Sequence, residues 1–165
     1  MFVGPQDVRI SSLGSMPNNS LAVLNRSKDI ALILGDNDKK YAIFLSAMSL
    51  STFDAFECTG NKHWNGFFIP DIEIEIDISS VSFEYAYKLG CINTSDGAME
   101  LLVKIQRDGI SDGHSIPISK GGEVTNTEVN FSKWRLIRRI GKEIVALATV
   151  DDGVVDLAPL SPLGQ

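Results

Sequence analysis

Residues 71–77 read Asp71-Ile72-Glu73-Ile74-Glu75-Ile76-Asp77, acidic side chains strictly alternating with isoleucines. A two-residue period puts the isoleucines on one face of a strand and the carboxylates on the other, so the segment is a strand with one buried and one wet face. Ile78 extends the apolar series, Ser79 and Ser80 interrupt it, and Val81, Phe83, Tyr85 and Tyr87 resume it on the opposite parity. One extra residue moves every later side chain to the other face, which predicts a turn or bulge at the two serines. Residues 69–89 are therefore read as the central hairpin, or bent strand, of an antiparallel or mixed sheet.

Upstream, residues 30–34 and 41–45 are apolar runs joined by a polar connection that begins at Gly35, the pattern of a hairpin. Neither run alternates, so both strands are expected to be covered on both faces. From residue 47 to 57 the period changes. Ser51 precedes Asp54 by three, and Phe53 and Phe56 stand three apart, which predicts a short helix. Residues 59–66 form a polar loop carrying Trp64, and Pro70 suits the first residue of a strand or an edge, because it cannot donate to a ladder.

Downstream, Met99, Leu101, Val103 and Ile105 mark a further strand. Residues 108–122 hold four glycines and Pro117, which predicts a long loop with at most a very short strand around Ile116 and Ile118. Ser132 can cap a helix over residues 133–140, where Trp134, Ile137 and Ile140 share a stripe, and residues 143–150 are strand-like. The fold class that follows is α+β and β-rich: an antiparallel or mixed twisted sheet, sandwich-like in one version, with one or two short helices. Residues 1–157 are expected to form a single domain and residues 158–165 a flexible C-terminal tail.

The chain has 165 residues, 44% of them hydrophobic, enough for one real core. Its formal charge of -6 disfavours nonspecific attraction to nucleic acid or anionic lipid and suits a basic protein partner. The N-terminal MFVGPQDVRI has no basic segment followed by a long apolar run, and no stretch reaches membrane-spanning length, so a cytoplasmic location without membrane contact is expected. Cys58 and Cys91 are expected to be reduced, partly buried thiols.

No motif carries a specific chemistry. Gly109, Ser111 and Gly113 have the spacing of a nucleophile elbow, but His114 is the only later histidine and stands too close in sequence to serve Ser111. His63, His114, Cys58 and Cys91 could nominally supply four metal ligands, without a close pair among them. Pro70 and Asp71 open something like a nuclease pattern that lacks the later acidic residue and lysine at the required spacing. Lys133, Arg135, Arg138, Arg139 and Lys142 form a basic cluster able to bind phosphate, or to offset the acidic strand internally. No catalytic residue, metal or cofactor is assigned.

The leading expectation is a small acidic protein-binding module, most concretely an inhibitor or immunity protein that occludes the active site of a toxin or nuclease. Its partner-binding residues are Trp64 as an aromatic anchor, Asp71, Glu73, Glu75 and Asp77 as charge complement, and Tyr85 as a second anchor. A metal-dependent hydrolase or nuclease built from Asp71, Glu73, His63 and His114 is the first alternative. A structural or assembly subunit that self-associates through an exposed apolar strand edge is the second.

Overall fold

A computed structural model describes residues 5–35, 38–47, 50–83, 87–95, 98–107, 110–118 and 129–157. Its strands are β1 (Arg9–Ser12), β2 (Ser20–Leu24), β3 (Ile30–Gly35), β4 (Lys40–Ser46), β5 (Asp54–Glu57), β6 (Asn65–Ile69), β7 (Glu73–Ile76), β8 (Val81–Ser82), β9 (Ile92–Ser95), β10 (Ala98–Arg107), β11 (Ile110–Pro117), β12 (Val129–Phe131), β13 (Lys133–Ile140), β14 (Glu143–Asp151) and β15 (Val154–Leu157). Helical structure among the described residues is confined to single 3-10 turns at Pro5–Asp7, Leu13–Ser15 and Ile78–Ser80. The β-rich class with mixed sheets is borne out.

An eleven-stranded sheet follows the path β1-β6-β2-β3-β4-β5-β10-β9-β12-β8, with β11 on the opposite side of β10; a four-stranded sheet runs β15-β14-β13-β7. The parallel pairing that makes the large sheet mixed sets Lys104 and Ile105 of β10 against Asp54 and Ala55 of β5. The sheets share a core in which Leu32, Ile43 and Val103 join Trp134, Leu136 and Val150. On the other face of the large sheet, Ala31, Ile33, Ala42 and Phe44 are buried with Leu13 and Met16 of the N-terminal segment. Covering both faces removes any need for polar alternation, which is why β3 and β4 read as continuous apolar runs.

Trp134, only 1% exposed, links the two sheets. Its indole Nε1–H donates to the Gly90 carbonyl at 2.7 Å, and its ring lies tilted on Phe53 at 6.2 Å between centroids. Gly90 has φ +84°, and a Cβ there would come within 2.4 Å of the Phe53 ring. The glycine thus serves both the turn and the close approach.

Several segments differ from the sequence expectation. Residues 47–57 contain no described helix: Ser51 and Asp54 make a turn, with Ser51 N–H donating to Asp54 Oδ2 at 2.8 Å, and β5 follows at once. Phe53 and Phe56 then fall on opposite faces, Phe53 in the inter-sheet core and Phe56 against the second cluster. Residues 133–140 are strand β13 and not a helix. Arg138 takes the parity of Trp134 and Leu136, while Ile137 is buried on the other parity, so the two-residue period is broken in a way that imitates a helical stripe.

Residues 110–117, expected to be loop with at most a very short strand, form a full strand held against β10 from Glu100↔Pro117 to Arg107↔Ile110. Residues 119–128 lie outside the described set. The organising segment is a strand as expected, but it is not central. β7 is an edge of the small sheet and β8 an edge of the large one, and the 3-10 turn at the two serines carries the chain between them.

Candidate functional site

The 58–65 connection is held from three sides. Asn61 Oδ1 accepts from the backbone N–H groups of His63 and Trp64 at 3.0 and 2.9 Å. Leu13 N–H donates to the Trp64 carbonyl and Gly14 N–H to the Asn61 carbonyl, each at 2.9 Å. A Cβ on Gly14 would sit 2.4 Å from Asn61 N, so only a hydrogen side chain admits this approach.

The pinned loop presents Trp64 with 46% of its surface exposed. The indole meets the Phe56 ring edge-on at 4.9 Å, and Phe56 stacks on buried Phe44 at 5.6 Å. An aromatic series therefore runs from core to surface, and it fixes the orientation of its outermost member.

Beside Trp64 opens a cleft of about 710 Å³. Its apolar lining comes from Leu24, Phe44 and Leu50, and its polar rim from Asn25, Arg26, Ser27, Asp29, His63 and Asn65. The β2–β3 turn forms the far wall. There Lys28 N–H donates to the Leu24 carbonyl at 2.9 Å, Lys28 Nζ donates to the Asn25 carbonyl at 2.7 Å, and Lys28 takes φ +62°. Asn25 N–H donates to the Asn65 carbonyl at 3.0 Å and joins the two walls. Both sides of the cleft are thus fixed by backbone hydrogen bonds, and its volume falls in the range of small-molecule and side-chain pockets.

The acidic residues are placed differently. Glu75 accepts from Arg135 at 2.6 Å and Glu73 from Arg139 at 2.6 Å, across the pairing of β7 with β13. These exposed pairs contribute roughly 1 kcal/mol or less each, yet they cancel much of the field that unpaired carboxylates would project. Asp77 caps the following 3-10 turn, accepting from the Ser79 hydroxyl and backbone N–H. The hydroxyl first, and then the N–H, hold its carboxyl below the usual range. Asp71 is exposed with φ +60°. Trp64 precedes β6 of the large sheet while the acidic residues lie on or beside β7 of the small one, and Tyr85 lies outside the described residues.

Arg138 is 9% exposed and meets Asp7 at 3.3 Å, so three of the five basic residues in the cluster, Arg135, Arg138 and Arg139, each face a carboxylate. Among the described residues, no three His, Cys, Asp or Glu side chains stand close enough to hold a metal ion. His63 lines the cleft, whereas His114 lies on β11 with its ring 6.2 Å from that of Tyr41. Ser111 is within β11, which removes the strand-to-helix elbow its spacing suggested; Gly109 lies outside the described residues. No described helix is long and apolar enough to cross a membrane.

Sequence reasoning named Trp64 and His63 but missed their companions on the β2–β3 turn. The available signal was the polar Asn25-Arg26-Ser27 stretch between two apolar strands. Nothing local says that this turn faces Trp64.

No solved structure matches the chain. A curated relative, uncharacterized protein y4lG of Sinorhizobium fredii, is 31% identical over 140 residues, which is 82% of this chain and 85% of the relative. The family described as uncharacterised protein y4lG matches residues 10–156, from β1 into β15, and the chain belongs to that family.

Proposed function

We propose that the protein is a small acidic protein-binding module of the cytoplasm, most concretely an inhibitor or immunity protein that occludes the active site of a toxin or nuclease. The observation that carries the reading is Trp64, half-exposed, braced by Phe56 and standing at the mouth of a preformed cleft. A rigid aromatic beside a pocket is the geometry of an interface anchor, because little conformational entropy remains to be lost when a partner covers it. The formal charge of -6 favours a basic partner and speeds its approach. Glu73 and Glu75 contribute less to that field than their number suggests, since each already holds an arginine.

The test is affinity capture from native lysate at low and moderate salt, run in parallel with Trp64→Ala. Buried Trp134 reports through its fluorescence that the variant is folded. A basic protein retained in stoichiometric amount by the wild type, released at moderate salt and bound at least about thirtyfold more weakly by Trp64→Ala, is the expected result. Retention of nothing at either salt, or equal retention by the variant, defeats the reading.

A further inference from the structure

We draw no further inference here: the strongest candidate, the cleft between Trp64 and the β2–β3 turn, belongs to the site already described, and nothing in the structure shows what enters it.

Discussion

Cys58 has no exposed surface, and its burial pushes the thiol from an ordinary value of 9.0 up to about 11. Cys91 is raised in the same direction, again chiefly by burial. Because the folded chain holds these protons more tightly than the unfolded chain, their contribution to stability is complete below about pH 9 and is lost as pH rises toward 11. Denaturation midpoints measured across that window should fall, and Cys58→Ala should show a shallower fall from a lower starting stability; an equally steep decline would assign the effect to other groups. Residue type alone led to the expectation of partly buried thiols, since free cysteine behaves as a small apolar side chain, and both are buried outright. The exposure of Trp64 was not legible. An indole beside Phe67 suits a core end as well as a surface, and the choice was made by the contact with Phe56, from a different strand.

At the scale of elements, alternation was the most dependable signal, and its failures have local causes. The series from residue 71 to 77 yielded β7 because its isoleucines face the inter-sheet core and its carboxylates face solvent and arginines. The stretch from 133 to 140 was misread because Arg138 occupies an apolar parity, and the one from 110 to 117 because glycine and serine there are compatible with pairing to β10. β15 was passed over although Asp152 and Gly153, with φ +50° and +81°, form the two-residue hairpin loop that an Asp-Gly pair signals. The connection at residues 58–65 supports a direct test. Gly14→Ala places a methyl 2.4 Å from backbone of Asn61, which cannot rotate away, so a loss of roughly 1–3 kcal/mol is expected with a shift of the Trp64 emission. Unchanged emission and urea midpoint would show that the loop does not depend on this contact.

Across the whole molecule, Asp7 and Arg138 join the N-terminal 3-10 turn to the small sheet at 3.3 Å, with Arg138 Nη1 buried and without a hydrogen-bond partner. Removing the carboxylate leaves a buried cation unbalanced, so Asp7→Asn is expected to cost roughly 1–3 kcal/mol in urea denaturation. Adding Arg138→Met should recover most of that loss; no recovery would show that packing and not charge holds the arginine in place. The pair also marks the boundary of what could be read without coordinates. Strand content, the doubly covered hairpin of β3 and β4, and the turn at Ser79 and Ser80 were available from the chain alone, because each follows from the local period of apolar side chains and from which residues can turn. The division into two sheets, the edge position of β7, the cancellation of its carboxylates by β13 and the meeting of the β2–β3 turn with Trp64 were set by pairing between distant segments. Such pairing depends on how all the apolar faces are buried together, a condition that no single stretch contains.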